Sequence, residues 1–440
     1  SMQLDAFRMG LDVHPEMESK GVKGAILAHD NFTLATNQVK QWYFVADVQK
    51  DAVGVRNLIQ FIKQTPQLQD YIETEVAKGT QALKAIVAQV DGVQETADEH
   101  GMARHFANTL FNTMRGGFYC DEYTIVAADF VKHVNLFNKA VAKQHQAMLA
   151  SLPASLLYAA LEEKVKATGD AQLYRLFQEY LPITFSRRHG DPSRPWNLFH
   201  IRVNDDNGNK IISYQGNWRD IFQNWEALSL SYPAYINGII AKFLNATTAD
   251  GYNPYKVTSE GIDWEVIVPE DPWSNIGYWG DHQIIYLLKL MELSHKYYPQ
   301  ALDSYLNREM FSYAQVPYRI KSYQEIVQDP RNTISFDQAL HDKILAMQPA
   351  YGSDARLMLD ESNQVVLVSF TEKILATLLA KLSNFIPQAG IWLNTMRPEW
   401  NDANNALVGI GASMVTLYYI RRFVAFVSDL YAKHTDENFV

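Results

Sequence analysis

The feature that most constrains the fold is the spacing of apolar residues from Asp51 onward. In one segment, apolar side chains recur at helical intervals at Val53, Val55, Leu58, Ile59 and Ile62. Apolar residues three and four positions apart lie on one face of an α-helix. Similar patterns predict helices over 70–90, 100–115, 123–150, 152–167, 170–181, 218–230, 232–244, 281–297, 299–306, 336–348, 370–386 and 404–432. The chain is therefore predicted to be mostly α-helical.

Long polar segments separate several of these helices. They cover 183–217, 246–280 and 309–335 and are rich in turn-forming residues. Such loops exceed simple connections in a compact domain, and long ordered loops are often functional. Helices alternating with long loops predict a toroid of helical hairpins with the loops gathered at one rim.

The first fifty residues differ from the rest. Gln41–Val48 is rich in aromatic and β-branched residues and is predicted to form a strand. We therefore divide the chain into a linker and strand segment, 1–50, and a helical domain, 51–440.

The charge balance narrows the classes of partner. The 440 residues include 39 basic and 49 acidic side chains, for a net charge of -10. Nucleic acids and anionic membranes attract basic surfaces, so neither is the expected partner. A neutral sugar is compatible with this balance.

Cysteine content and apolar stretches bear on where the protein is located. Cys120 is the one cysteine, so no internal disulfide forms, and no signal peptide is visible. The apolar stretch Ala406–Ile420 is shorter than a membrane span and leads into Arg421, which favours a buried helix. These features predict a cytoplasmic protein.

The first candidate site segment is Asn112–Asp121. A Gly116-Gly117 pair follows a helical run, where it ends the helix and allows close backbone approach. Arg115 and Asp121 lie on either side of the turn. Because arginine donates and aspartate accepts hydrogen bonds, the two can hold sugar hydroxyls. The alternative is a helix terminus with a surface arginine.

The second segment is Phe185–Asn197, which contains Arg187, Arg188, His189 and Trp196. This loop suits an anion such as phosphate, or a sugar subsite. Its alternative interpretation is a loop held together by its own Arg–Asp pairs.

The third segment, Gly216–Leu228, begins a helix. It carries a polar stripe flanked by two tryptophans: Trp218, Arg219, Asp220, Gln223, Asn224, Trp225 and Glu226. Positions four apart share a helix face, so the stripe is a candidate sugar platform. An acidic first turn that suits the helix dipole is the alternative.

The fourth segment is Arg397–Leu407, before a long apolar run. Glu399 is a candidate general base, Trp400 and Asn401 are candidate sugar contacts, and Asp402 is either a base or a helix cap. A weaker fifth segment contributes Trp279 as a further stacking residue.

Other chemistries have little support in the sequence. The histidines show no His-Glu-x-x-His spacing, and one cysteine cannot build a thiolate zinc site. No Gly-x-Ser-x-Gly elbow is present. We therefore predict no metal and no cofactor, with phosphate as the one conceivable co-substrate.

Taken together, the segments resemble the six-hairpin glycosidase superfamily, and within it the cellobiose-phosphorylase-like branch, glycoside hydrolase family 94. Arg115–Asp121 has the spacing of that family's Arg and Asp for the nonreducing-end sugar. Trp218–Asn224 resembles its Tyr/Trp-Arg-Asp-x-x-Gln-Asp segment, and Trp400–Asp402 resembles part of its Asp-Trp-Asn-Asp-Gly segment. The resemblance implies an (α/α)6 barrel and a glycosidase or glycoside phosphorylase.

The chain departs from that family at the proton donor. Where the family has its catalytic Asp, this chain has Asn224. An amide cannot act as a carboxylic acid does. The glycine of the last segment is Ala403, and the phosphorylases' phosphate-binding His and Thr pattern is not recognisable.

These considerations favour an inverting glycoside hydrolase acting on an oligosaccharide or glycoside. Asp220 or Glu226 would be the acid, its pKa raised by apolar rings, and Glu399 or Asp402 the base. Two alternatives stay open: a glycoside phosphorylase with phosphate at Arg187–His189, and a non-catalytic sugar-binding barrel.

Overall fold

The structure is a computed structural model that describes residues 3–14, 30–47, 50–184, 205, 210–254, 256–270, 283–395 and 407–434. For 217–220 it describes the backbone but not the side chains. The chain divides into two compact units, Ser1–Val76 and Ala77–Val440.

The first unit contains α1 (Leu4–Arg8), α2 (Ala52–Gln64) and the start of α3 (Leu68–Ala88). The predicted helix around Val53–Ile62 is present as α2, and the Asp51 side chain caps it by accepting from the Gly54 N–H at 2.7 Å. The predicted strand is wrong. Its described part, 41–47, has no ladder partner among the described residues and forms no strand.

The second unit is dominated by helices. Their bounds are α4 Glu99–Gly116, α5 Ala127–Phe137, α6 Lys139–Gln144, α7 Gln146–Ala150, α8 Tyr158–Lys166, α9 Ala171–Gln178, α10 Trp218–Ser231, α11 Ile236–Asn245, α12 Gln283–Tyr297, α13 Tyr323–Gln328, α14 Gln338–Tyr351, α15 Phe370–Leu382 and α16 Met414–Tyr431. Short 3-10 turns are present at η1 Pro233–Tyr235, η2 Asp303–Tyr305 and η3 Ser353–Arg356. The prediction of a mostly α-helical protein is confirmed.

Short polar side chains set where many of these helices begin. The carboxylates of Asp98, Asp170 and Asp337 each accept a backbone N–H of the first turn at 3.0 Å. Ser322 forms a reciprocal capping box with Glu325 at the start of α13. Each cap satisfies an amide that would otherwise lack an intrahelical partner.

The strands are short and form small antiparallel sheets. Their bounds are β1 Phe118–Tyr119, β2 Thr124–Val126, β3 Ser155–Leu157, β4 Ile183–Thr184, β5 Gln215–Asn217, β6 Lys256–Thr258, β7 Gly261–Asp263, β8 Tyr318–Ile320, β9 Ile334–Phe336, β10 Phe385–Ile386, β11 Gly390–Trp392 and β12 Ala412–Ser413. The pairings among described residues are β1–β4, β2–β3, β5–β6–β7, β8–β9 and β10–β11–β12.

Several predicted helices are shorter than expected because strands or turns interrupt them. The stretch 123–150 starts with β2 and then breaks into α5, α6 and α7. The stretch 299–306 retains only the 3-10 turn η2. In the described part of the predicted helix 404–432, a turn and β12 precede the helix that begins at Met414. Periodicity alone does not mark these breaks, since strand residues such as Thr124–Val126 continue the apolar pattern.

A large cluster of buried apolar side chains fills the second unit. It includes Phe130, Phe177, Phe222 and Phe423, contributed by four different helices. Within the described part of the chain, no helix has both the length and the apolar character needed to cross a membrane.

The part of the second unit between β1 and β4 starts and ends at one point. Strand β1 pairs with β4 so that Phe118 lies opposite Thr184 and Tyr119 opposite Ile183. The helix before this segment, α4, packs on α10, the next described helix after it. The segment therefore starts and ends beside the α4–α10 pair.

Candidate functional site

The packing of α4 on α10 joins the first and third sequence segments. The indole Nε1–H of Trp225 donates to the Gly116 carbonyl oxygen at 2.9 Å. A Cβ atom added at Gly116 would lie 2.9 Å from the Cβ of Asn224. The glycine is thus required for close approach of the helices, as the sequence predicted for this pair of glycines.

Trp225 does not serve as a sugar platform. Its side chain is 0% exposed, and its ring packs edge-on against Tyr214 and Phe222 at centroid distances of 5.3 and 5.1 Å. A fully buried ring offers no free face to a ligand. The prediction that Trp225 stacks on a sugar is wrong, and the residue instead fixes α10 against α4.

A cleft of about 330 Å³ opens between α4, α10 and the turn after α3. We call it the α4–α10 cleft; it is lined by Val90, Asp91, His105, Asn108, Thr109, Asn112, Thr113, Gly117, Asn224, Ala227, Leu228, Leu230 and Ser231. Amides and hydroxyls both donate and accept hydrogen bonds. The lining therefore suits a ligand rich in hydroxyl groups.

Most polar residues of this cleft were not predicted. His105, Asn108, Thr109 and Asn112 lie at intervals of three, one and three residues on α4, a single stripe of the helix. This polar stripe was the available signal. The first candidate segment begins at Asn112 and therefore does not include the rest of the stripe.

Three further predicted residues of α10 lie on different faces. Asn224 is 4% exposed and lines the cleft, whereas Gln223 is exposed. Glu226 is paired with Lys289 of α12, whose Nζ lies 3.1 and 3.2 Å from its two carboxylate oxygens. The structure thus places Asn224 in the cleft and Glu226 in an ion pair on another side of the helix.

Arg115 and Asp121 have different surroundings. The Arg115 guanidinium lies 4.0 Å from the centre of the Phe111 ring. Asp121 is exposed in the turn after β1, and its charge helps to raise the pKa of Asp129, after the larger effect of burial. Asp121 thus neighbours α5, and sugar binding by the Arg115–Asp121 pair stays a prediction.

The remaining predicted residues lie outside the description. The backbone of α10 places Asp220 in its first turn, with Trp218 and Arg219, but their side chains are not described. The other residues lie outside the described ranges: Arg187, Arg188, His189, Trp196, Trp279, Glu399, Trp400, Asn401 and Asp402.

Metal and thiol chemistry have no visible support in the described residues. These contain no group of three or more His, Cys, Asp or Glu side chains suited to a metal ion. Burial, together with the nearby Asp121 and Asp129, raises the pKa of the Cys120 thiol to about 12. A thiol that stays protonated is a poor nucleophile.

Comparison with known proteins adds a family match inside the second unit. Residues 119–182 match the model of glycoside hydrolase family 149 insertion domain 1. No curated protein matches the chain. The matched segment coincides with the part of the chain enclosed by the β1–β4 pair. The match supports a carbohydrate-active protein of the glycoside hydrolase type, with a carbohydrate as its substrate.

Proposed function

We propose that this protein cleaves glycosidic bonds in an oligosaccharide or glycoside bound at the α4–α10 cleft, by inverting hydrolysis. The observation that carries the proposal is the convergence of two sequence segments on one hydroxyl- and amide-lined cleft, where Asn224 faces Asn112 and Thr113 of α4. The glycoside hydrolase match begins two residues beyond Gly117, which also lines the cleft.

The reaction needs two carboxyl groups. One protonates the glycosidic oxygen as its bond to the anomeric carbon breaks. The other accepts a proton from the water whose oxygen attacks that carbon from the opposite face. Inverting enzymes hold these carboxyls roughly 6.5–9.5 Å apart, which leaves room for the water.

Asp220 is the better acid of the two candidates on α10. Position 220 precedes Asn224 by four residues, and positions four apart lie on one helix face. Because Asn224 lines the cleft, we expect Asp220 to share its stripe, one turn closer to the helix start. Glu226 follows Asn224 by two residues and is engaged by Lys289. We assign the base to Glu399 or Asp402.

The wider site in this proposal includes sugar contacts from the loops. Trp196, Trp218, Trp279 and Trp400 would stack on sugar faces. Further hydrogen bonds would come from Arg115, Asp121, Arg187, Arg188, His189, Arg219, Gln223, Asn224 and Asn401.

The same proposal includes an (α/α)6 toroid. Its support is the pairwise packing of helices in the second unit: α10 contacts α4, α11 and α12, and α12 contacts α16. A crystal structure of the chain tests the toroid directly. Six inward and six outward helices are expected, and any other arrangement of the helices would refute it.

Cleavage is tested by amide substitutions assayed on a panel of oligosaccharides and aryl glycosides. Asp220→Asn is expected to lose about 10²–10⁴-fold in turnover, the usual contribution of general acid catalysis. Glu226→Gln should stay near wild type, since its carboxylate is tied to Lys289. A matched control is Glu292→Gln, which removes a surface carboxylate paired with Arg422. Full activity in Asp220→Asn would overturn the assignment of the acid.

The base and the co-substrate are tested in the same assay. Glu399→Gln or Asp402→Asn should abolish turnover, whichever is the base. Turnover that requires added phosphate would replace hydrolysis by phosphorolysis, with Arg187, Arg188 and His189 as the phosphate contacts. Sugar binding without turnover on any substrate would instead favour a non-catalytic barrel.

A further inference from the structure

A second cleft lies between the segment that matches the insertion domain and later residues of the second unit. It has a volume of about 90 Å³ and lies between α5, the residues after α9 and the turn that joins β6 to β7. Its polar lining consists of Asp129, Lys132, His133, Tyr180, Tyr214, Ser259 and Glu260. We call it the Tyr180 cleft; it shares no lining residue with the α4–α10 cleft.

The Tyr180 hydroxyl is the most informative group in this cleft. Tyr180 is 1% exposed, and its hydroxyl has no hydrogen-bond partner among the described residues. The ring is held edge-on by Phe130 and His133, both at 5.3 Å between centroids. A buried polar atom without a partner is unfavourable, which is a reason to expect that a ligand supplies one.

Hydrogen-bond donors and acceptors line the same cleft as Tyr180. Asp129, Lys132 and His133 occupy one face of α5, at spacings of three and four residues. The His133 Nε2 contacts the Leu176 carbonyl oxygen at 2.9 Å, which selects the tautomer protonated at Nε2 and makes Nδ1 an acceptor. Burial raises the pKa of Tyr180 well above its usual value, so its hydroxyl can donate at neutral pH.

The opposite wall is a rigid turn. Ser259 and Glu260 connect β6 to β7, and the Ser259 N–H donates to the Tyr214 carbonyl oxygen at 2.9 Å. The next residue, Gly261, has a φ of +125°, which a side chain would disfavour. The turn therefore constrains the backbone that carries Ser259 and Glu260 at this wall of the cleft.

Charge and size select the ligand class. The lining carries two acidic side chains, Asp129 and Glu260, against one basic side chain, Lys132. Burial lowers the pKa of His133 to about 3 and keeps it neutral. A net negative lining disfavours phosphate and other anions. At 10–15 Å³ per water, the volume holds about six to nine waters, comparable with one sugar ring.

We propose that the Tyr180 cleft binds a single neutral sugar unit, with the Tyr180 hydroxyl as an essential hydrogen-bonding group. Asp129 and Glu260 accept from the sugar hydroxyls, and Lys132 donates to them. This site is separate from the α4–α10 cleft and does not depend on bond cleavage there.

The test uses saturation-transfer NMR on the full chain with D-glucose, D-galactose, D-mannose and N-acetyl-D-glucosamine, each added alone. At least one should bind, and Tyr180→Phe should weaken that binding about tenfold, as expected for one hydrogen bond worth about 1.4 kcal/mol. The matched control is Tyr119→Phe. It removes another fully buried hydroxyl that has no partner among the described residues, but Tyr119 does not line the cleft.

The thermal unfolding midpoint, measured without sugar, shows whether the Tyr180→Phe variant is folded. Tyr180→Phe should unfold at or above the wild-type midpoint, because the change removes an unsatisfied buried hydroxyl. Asn112→Ala, in the α4–α10 cleft, should leave this binding intact.

Three results would each overturn the proposal: no sugar binds, Tyr180→Phe and Tyr119→Phe bind alike, or Asn112→Ala alone abolishes binding. None of them bears on whether Asp220→Asn stops glycoside cleavage, so failure of either proposal can be recognised separately.

Discussion

Gly116 and Gly79 lie in helices but have different surroundings. A Cβ at Gly116 would meet Asn224 at 2.9 Å and Trp225 at 3.3 Å, whereas nothing lies within 4 Å of one at Gly79. Gly116→Ala should therefore destabilise the protein by about 1–3 kcal/mol through overpacking. Gly79→Ala should be neutral or stabilising, by up to about 1 kcal/mol, because alanine favours helix. Urea unfolding measures both, and equal effects would contradict the close approach of α4 and α10.

His133 is predicted to make the free energy of unfolding depend on pH. Burial, then the nearby Lys242 and Arg175 charges, lower its pKa from 6.5 to about 3, against a raising effect of its hydrogen bond to Leu176. As the pH falls below 6.5, the unfolded chain binds a proton at this histidine that the folded chain does not bind until about pH 3. Stability should therefore fall with decreasing pH across this window, by up to about 1.4 kcal/mol per pH unit.

The variant His133→Gln isolates this effect. Its free energy of unfolding, measured by urea between about pH 7 and pH 5, should depend on pH less steeply than that of wild type. His100→Gln, on the exposed first turn of α4, should keep the wild-type slope. An unchanged slope in His133→Gln would contradict a neutral, buried histidine.

At the scale of elements, a buried charge network links α9 to distant parts of the second unit. Arg175 is 0% exposed and contacts Glu179 at 2.9 Å and Asp354 of η3 at 2.5 Å. Asn138 donates to Asp354 at 2.8 Å, and Asn245 of α11 donates to Glu179 at 2.7 Å. The network therefore fixes three elements around one guanidinium.

Removal of that guanidinium should be strongly destabilising. Arg175→Met leaves Glu179 and Asp354 buried and unpaired, which typically reduces the free energy of unfolding by about 3–5 kcal/mol. Arg422→Met is the matched control, because Arg422 is 55% exposed and pairs with Glu292 at the surface, where about 0–1 kcal/mol is expected. The comparison is made by urea denaturation, and similar losses in the two variants would refute a buried network.

At the scale of the whole molecule, the described residues place the buried apolar core after the first unit. The first buried apolar side chain is Val87, and the core cluster extends from Val90 to Leu430. In the described part of Ser1–Val76, by contrast, apolar residues such as Val53 and Ile62 are exposed. Cooperative stability is therefore expected to reside in Ala77–Val440.

A chain that begins at Ala77 should retain one cooperative unfolding transition. Its thermal midpoint should change by less than about 2–4 °C, because about 1 kcal/mol produces that shift in a domain of some 150–250 residues and a smaller shift in a larger unit. A chain that begins at Phe118 should not fold, because it lacks α4, the packing partner of α10. Scanning calorimetry distinguishes these outcomes, and loss of the transition in the first truncation would show that the first unit is needed.

Much of the local structure could be predicted from the sequence. Helical spacing identified segments such as α4, α10 and α12, and the Gly116-Gly117 pair marked both the end of α4 and a close approach. These features depend on residues within about one helical turn of each other, so they can be read from neighbouring positions.

Only the tertiary structure decided which side chains are buried and which distant residues meet. The sequence predicted Trp225 as a sugar platform, but packing against α4 buries it. Arg175 donates a hydrogen bond to Asp354, which lies 179 residues further along the chain. The pairing of β1 with β4 likewise joins distant segments. The burial of the Tyr180 hydroxyl without a partner among the described residues is also visible only in the folded chain. Apolar periodicity predicts which face of a helix is buried but does not identify the element that packs against it. Which element packs on that face is decided when the whole chain folds around a shared core.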